Sequence, residues 1–439
     1  MWNRIKEVVR KMLTSRNISS AIGIKLPEIA QSERMRAAIQ EWHDMYSGHA
    51  PWIDGSDVVS LRLEQGIVRE LANVALNEMT TSVTLPKLDA IYQKTVERLN
   101  IELQKGLMSG AMVIKPLGAD KVQFLPQTRF IPIGFDIDGM MTKVIFPDTR
   151  PMGTDKVTRL EYHSLDDKTG LTITNRAFMG DINRLGREVM LDVLPEWAGL
   201  PPSVSYPLMH HPAYGYYVNP IDNTIDGSAC GMSYLEPVKH LIRLADLQAA
   251  RLDWEYRSGE RAVYIDEAAI RRDGKIDALS KRLYRKVDMD AVFDVSSPDI
   301  RQVPYSAGLE EYKRAIEFAV GLSYGDISNP QEVEKTATEI LSAKKRKYNT
   351  VMAIQRNLKT CLEGFVFALA FFNGAATQKY DFVCDFRDSI LTDDDTERQQ
   401  DIQMVSMGVM RPEEFRAKWM GEPIDVALKN LPQSAQVLE

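Results

Sequence analysis

Cysteine is scarce in this 439-residue chain, and Cys230, Cys361 and Cys384 lie far apart with no CxxC pair and no histidine cluster beside them. That spacing offers neither a zinc site nor a disulfide framework. Three small buried hydrophobes in a reducing cytoplasm is the reading that remains. Long apolar runs are missing too. The most apolar stretch, Phe365–Phe372 (FVFALAFF), is far short of the about 20 residues that a bilayer crossing needs. It reads as a buried helix end, and no membrane anchor is expected. The N-terminal WNRIKEVVRKML is basic and amphipathic, with Trp2, Ile5, Val9 and Met12 near one helical face. It lacks the unbroken apolar core and cleavage site of a secretory signal. Basic excess is also absent: 54 Lys+Arg stand against 61 Asp+Glu, a formal charge of −7. Proteins that hold nucleic acid by neutralising phosphates carry a basic domain. Tight, static DNA binding is therefore not expected, whereas DNA that passes without being held is compatible with this balance.

Catalytic signatures are missing as well. There is no GxxxxGK[ST] loop to cradle phosphate, no GxGxxG after a strand, no HExxH pair and no GxSxG elbow. The histidines are His43, His49, His163, His210, His211 and His240. The adjacent pair His210-His211 precedes Pro212 in an apparent loop, where neighbours on an extended chain point opposite ways and do not share a metal. Asp393-Asp394-Asp395 opens TDDDTERQQ, which suits a helix N-terminus and its dipole better than a magnesium site. The expectation is a protein with no cofactor, no metal and no catalysis.

What is present is a chain long enough for about three domains, with 44% hydrophobic and 26% charged residues. Residues 1 to 50 read as helix, broken at Lys25-Leu26-Pro27. Ser32 caps a second helix, SERMRAAIQEWHDMYSG, that ends at Gly48. Another helix is expected over Glu64–Glu78, where Ile67, Leu71, Val74 and Ala75 recur at helical spacing. One further helix is expected over 87–107. From 110 to 220 the segments turn short and β-branched, separated by Pro, Gly and Asp, as antiparallel strands are. From Ser233 to Tyr256 the helical period returns, for about 26 residues or roughly 39 Å. A small α/β segment follows over 260–305: a strand RAVYIDE, a helix-like ALSKRLYRK, then AVFDV and IRQVPY. A helix over Leu309–Leu322 comes next, then the polar SYGDISNPQEVEK. The longest periodic stretch, Thr336–Asn373, spans about 57 Å and reads as an element crossing between layers of an assembly. A strand, KYDFVCDFRD, and a short polar helical tail end the chain.

Several strings carry a likeness. Ile39–Gly48 (IQEWHDMYSG), with Pro51-Trp52 close by, resembles the IxEWxxxYxG opening of portal proteins from siphophages of Gram-positive hosts. Glu70–Glu78 (ELANVALNE) resembles that family's ELANLVFNE. Gly231–Pro237 (GMSYLEP) resembles its GxSxxxxA segment, and Gly321-Leu322-Ser323 followed by Lys335–Ile340 (KTATEI) resembles its GLS…KTATEV. The order of these strings spans residues 39–340.

The resemblance implies an α+β phage portal fold in layers. Residues 1–30 would be an N-terminal arm, 31–230 the wing, 231–259 a first stem helix and 260–305 an α/β clip. Residues 306–322 would be the second stem helix, 323–335 a tunnel loop and 336–378 a long wing helix. Residues 379–439 would give a wing strand and a small crown. It also implies a homo-oligomeric ring of about twelve subunits at a capsid vertex of the virion, assembled in the host cytoplasm. The expected partners are terminase, head-completion adaptor, scaffold, major capsid protein and passing double-stranded DNA, with no membrane. The implied channel residues are Ser323, Tyr324, Asp326, Asn329, Gln331, Glu332, Glu334 and Lys335, a mostly acidic lining against Lys335.

Two basic groups stay open between readings. Arg271, Arg272, Lys281, Arg282, Arg285 and Lys286 serve either solubility or docking of terminase or adaptor. Lys344, Lys345, Arg346 and Lys347 are consecutive in a helix and so cannot share one face. They are either solvated or a phosphate contact in a channel. Rival readings are a capsid-associated structural protein without a channel, and a nucleic-acid enzyme, for which no site was found.

Overall fold

The computed structural model describes residues 21–23, 29–53, 57–258, 262–266, 284–287, 293–296, 301–330, 337–376, 378–386 and 394–431. The N-terminal helix expected over residues 1–13 lies outside them. Helix α1, Glu33–Tyr46, starts where the sequence says: the Ser32 Oγ accepts the Met35 N–H at 3.1 Å. Its Met35, Ile39, Trp42 and Met45 form one buried stripe. Helix α2, Leu63–Leu76, buries Ile67, Leu71 and Ala75 against it, and strand β1, Met79–Val83, follows.

The single helix expected over 87–107 is two, α3 (Pro86–Val96) and α4 (Leu99–Ser109). The Thr95 hydroxyl bonds back to the Ile91 carbonyl at 2.9 Å, and the Arg98 N–H turns to Thr95 at 3.2 Å. Such back-bonding bends a helix, and here the chain takes a corner. Helix α4 ends at Gly110, φ 98°, where a Cβ would lie 2.1 Å from the Gly231 carbonyl oxygen. Only glycine fits that close approach.

The β-rich region appears as expected. Strands β2 (Ala111–Leu117), β3 (Lys121–Pro126) and β10 (Gly215–Val218) form an antiparallel sheet in the order β10-β2-β3. Strands β4 (Ile131–Phe135), β5 (Met141–Met152), β6 (Asp155–Asp166), β7 (Gly170–Met179) and β8 (Glu188–Val189) follow in that order in a second sheet, with β9 (Ser203–Tyr206) also paired to β7.

After the sheets comes an antiparallel helix pair. Helix α5 is Lys239–Ser258, preceded by a 3₁₀ turn, Glu236–Val238. The helix expected from Ser233 starts later because Pro237 has no N–H to give and the Ser233 Oγ takes the Leu235 N–H at 3.0 Å. Helix α6, Gln302–Val320, begins earlier than Leu309 and absorbs residues expected in the small insert. Pro304 sits in its first turn, where a missing donor costs nothing. Between the two helices lie β11 (Ala262–Asp266), β12 (Tyr284–Val287) and β13 (Phe293–Ser296), with β11 central, parallel to β12 and antiparallel to β13. Arg285 and Lys286, expected at the end of a helix-like segment, are on strand β12. Pairing with Tyr264 and Ile265 of β11 fixes them as extended.

Helix α7, Ala337–Phe372, matches the long element and spans about 54 Å over its 36 residues. Its Val351, Ile354, Leu358, Cys361, Leu362, Phe365 and Leu369 thread the main core, which α1 to α4, β2 and the start of α5 complete. The FVFALAFF stretch is this buried helix end. Strand β14, Phe382–Phe386, pairs antiparallel with β1, and Cys230, Cys361 and Cys384 are all buried free thiols. Helices α8 (Asp394–Ser406), α9 (Pro412–Met420) and α10 (Ile424–Lys429) form the tail. No helix among the described residues is long and apolar enough to cross a membrane.

Candidate functional site

The most elaborate polar construction lies where α6 ends and its following loop turns toward α7. Gly321, φ 81°, closes α6, and a Cβ there would lie 2.1 Å from the Thr350 hydroxyl of α7. The buried Leu322 returns its N–H to the Glu317 carbonyl at 2.9 Å. Glu317 itself is fully buried in the last turn of α6. Its Oε1 accepts the N–H groups of Gly325 (3.1 Å), Ile327 (2.6 Å) and Ser328 (2.8 Å), and its Oε2 accepts the Ser328 hydroxyl at 2.8 Å. A carboxylate that collects several backbone donors is well satisfied out of water. The loop therefore wraps around an anion that the preceding helix supplies.

Further ties extend this wrapping. The Glu310 Oε2 accepts the Asn329 N–H at 2.7 Å, while its Oε1 meets Lys313 at 2.7 Å. Burial opposes ionisation of Glu310, but Lys313 and that N–H hold its carboxyl below the usual value. Asp326 accepts the Ser323 N–H at 2.8 Å and pairs with Lys347 of α7 at 3.0 Å. The same Lys347 Nζ meets Glu70 of α2 at 2.8 Å. Burial pushes the Asp326 carboxyl up against the pull of Lys347. Burial also works against the Lys347 ammonium, yet Glu70 and Asp326 together raise it. Next to it, the Arg346 guanidinium lies 4.7 Å from the Phe318 ring centre and 5.3 Å from that of Tyr324. It also donates to the Leu322 carbonyl at 3.4 Å.

These contacts bear on two sequence expectations. Asp326, expected on an acidic lining, is half-buried and pairs with Lys347 of α7. Ser323 and Tyr324 are half-buried in the same joint, and Asn329 is exposed. Gln331, Glu332, Glu334 and Lys335 lie outside the described residues. In the basic tetrad, Lys344 and Lys345 are exposed, but Arg346 and Lys347 are engaged within the fold. Lys344 and Lys345 are thus the two of the four that face solvent in the single chain. Of the basic insert, Arg271, Arg272, Lys281 and Arg282 lie outside the described residues, and Arg285 and Lys286 are placed only by their strand.

The base of that insert is clasped. The Arg301 Nη2 and Nε reach Glu255 Oε2 and Oε1 at 2.9 and 3.0 Å, and the Arg301 N–H adds a bond to Oε1 at 3.1 Å. These bonds hold the Glu255 carboxyl below the usual range. Gln248 reaches the Tyr305 carbonyl at 3.1 Å and Tyr256 reaches Gln302 at 3.3 Å, so the start of α6 is fastened to the C-terminal half of α5.

Sequence reasoning missed Glu317, Glu70 and the Glu255–Arg301 clasp. The signal for Glu317 was a lone acid in the apolar AIEFAVGL, followed at once by the turn-rich SYGDIS. The strings that carried the family resemblance also meet in space: Trp42 donates to Glu236 at 2.7 Å, and Glu41 faces Lys239 at 3.4 Å. Glu70 opens its string and meets Lys347, while Gly321 to Ser323 form the joint. Among the described residues no group of three His, Cys, Asp or Glu side chains could hold a metal ion. No protein-family model matches the chain, and a search of curated proteins returned no match.

Proposed function

We propose that this chain is the portal protein of a tailed bacteriophage, a non-enzymatic subunit of a ring of about twelve copies at one capsid vertex, through which double-stranded DNA is packaged and ejected. One observation carries this reading. An antiparallel helix pair, α5 and α6, bears a small three-stranded insert at one end and a shaped polar loop at the other. A separate insert on a helical stalk contributes little to a single-chain core, and is natural where the stalk stands beside copies of itself. Exposed Trp254, Tyr256, Val303 and Phe318 on that pair leave apolar surface for such neighbours.

On this reading α1 to α4, the two wing sheets and α7 form the wing, the helix pair the stem, β11–β13 the clip, and α8–α10 a small crown. The loop after α6 approaches the DNA, and the acidic balance of the chain lets the duplex slide. The clip is the docking face for terminase, which supplies the packaging energy, and for the head-completion adaptor. The wing and crown meet scaffold and major capsid protein.

The test is electron microscopy of the purified full chain with a mass measurement. A ring of about twelve copies with an axial hole is the expected result. A defined assembly without a hole would replace this reading with that of a capsid-associated structural protein lacking a channel.

A further inference from the structure

Between α1 and α2 the chain runs as a strap, described over Gly48–Ile53 and Asp57–Arg62. One carboxylate of α5 ties it down at two points. Asp246, fully buried, accepts the Trp52 indole N–H at Oδ2 and the Leu61 N–H at Oδ1, both at 2.8 Å. The far end of the strap is held by an unusual conformation. Arg62 is the one non-glycine with positive φ among the described residues, at 57°. Its guanidinium fills the space over Gly48, where a Cβ would lie 2.2 Å from Cζ. A left-handed arginine is strained, so this strap persists only while its anchors hold.

The next acidic residue, Glu64, sits in the first turn of α2 and is fully buried. Neither of its carboxyl oxygens has a hydrogen-bond partner among the described residues. The charged groups that bear on it are Asp246 of α5, which opposes its ionisation, and Arg62 of the strap, which favours it weakly. Asp246 in turn is pushed up by burial against its two N–H donors. A buried carboxyl with an acidic neighbour, opposed chiefly by its own backbone N–H, favours the neutral acid. Methionine or glutamine would fill the same space without that requirement.

We propose that Glu64 is a proton-gated release for the strap. Neutral Glu64 tolerates the Asp246 carboxylate that ties Trp52 and Leu61 to α5; ionised Glu64 puts two anions in one dry site and frees the strap. The direction of the pH effect follows. Burial, opposed by the Glu64 backbone N–H and reinforced by Asp246, pushes the closed-state carboxyl up to about 7 from an ordinary 4.5. The closed strap then keeps a proton that the open one gives up between those values. Closure is strongest in acid and weakens as pH rises through that window, levelling off above it. Between about pH 5.5 and about pH 8.5 the opening constant rises roughly thirtyfold from these two values.

Hydrogen exchange of the full chain, read by mass spectrometry on peptides covering 57–62 and corrected for intrinsic exchange, tests this. Wild-type protection is expected to fall roughly thirtyfold across that range, with peptides from β6 as the unchanged reference. Glu64→Gln is expected to stay flat within about twofold. A flat wild type, or a Glu64→Gln chain that follows the wild type, would overturn the proposal. The infrared absorption of wild-type carboxyls needs no variant. A buried protonated carboxyl present at about pH 5.5 and gone by about pH 8.5 supports the release, and absence of any such carboxyl at the lower pH overturns it.

Discussion

Glu161 and Glu317 are both glutamates taken out of water, and the fold satisfies them by opposite means. Glu161, on β6, lies among side-chain cations and rings. Lys115 meets its Oε1 at 2.7 Å, Arg159 its Oε2 at 3.1 Å, and His163 Nε2 its Oε1 at 2.7 Å. Lys115 also stands 4.6 Å from the Phe146 ring centre. Burial alone would raise the Glu161 carboxyl, but Lys115, His163 and Arg159 hold it well below the usual range. Burial lowers His163, so the ring is neutral at pH 7 and donates through Nε2. Glu317 has no cation in hydrogen-bond reach among the described residues and is held by backbone N–H groups. The sheet network joins three residues of one strand, β6, to Lys115 of β2 in the other sheet. The loop nest uses residues only eight to eleven positions away, so it shapes a segment with no ladder of its own.

The comparison breaks most visibly in the sheet. Glu161→Ala removes the carboxylate that pairs with both cations and leaves Lys115 and Arg159 buried together. Loss of about 3–5 kcal/mol is expected in chemical denaturation. A combined Lys115→Met, Glu161→Leu change is expected to recover most of that loss, since well-packed apolar groups replace buried ions at little cost. If Glu161→Ala costs no more than a surface change, the network is not what holds this sheet.

Glu317→Gln sharpens the other side. The amide presents one acceptor and one donor where the loop offers four donors. A local cost of about 1.5–3 kcal/mol is expected, because bonds to a charged acceptor are lost. It should appear as faster amide exchange over 323–330, with α6 and the β4–β8 sheet unchanged. Equal loss throughout the chain would show that the nest is part of the global core and not a local shaping device.

Much of the architecture was legible in the sequence, and the reason is range. The Ser32 cap, the β-rich stretch over 110–220 and the long α7 all rest on neighbours within a few residues, which periodicity reports. The insert between two helices was legible as an order of textures. Other features depend on partners that periodicity does not reveal. The break at Thr95 is a side chain competing with the helix. Strand β1 is defined only by β14, about 300 residues on. Glu317 reads as an ordinary helical acid until the loop folds back over it. Lys347 reads as one of four solvated bases; its burial is set by Glu70 and Asp326, neither of them near it in sequence.

Lys347 therefore gives the smallest and most discriminating test, because it joins the two kinds of region. It reaches Asp326 in the loop and Glu70 on α2. Lys347→Met keeps the stem of the side chain and leaves two carboxylates facing each other. A cost of about 1 kcal/mol is expected, modest because Glu70 is partly open to solvent. Double-mutant cycles with Asp326→Asn and Glu70→Gln divide that cost. The Asp326 arm should carry the larger coupling although its contact is slightly longer, since Asp326 is the more buried partner and solvent screens it less. Higher salt should weaken the Glu70 coupling first. A dominant Glu70 coupling would mean that the lysine serves the α2–α7 contact, and that the loop keeps its shape from Glu317 without help from α2.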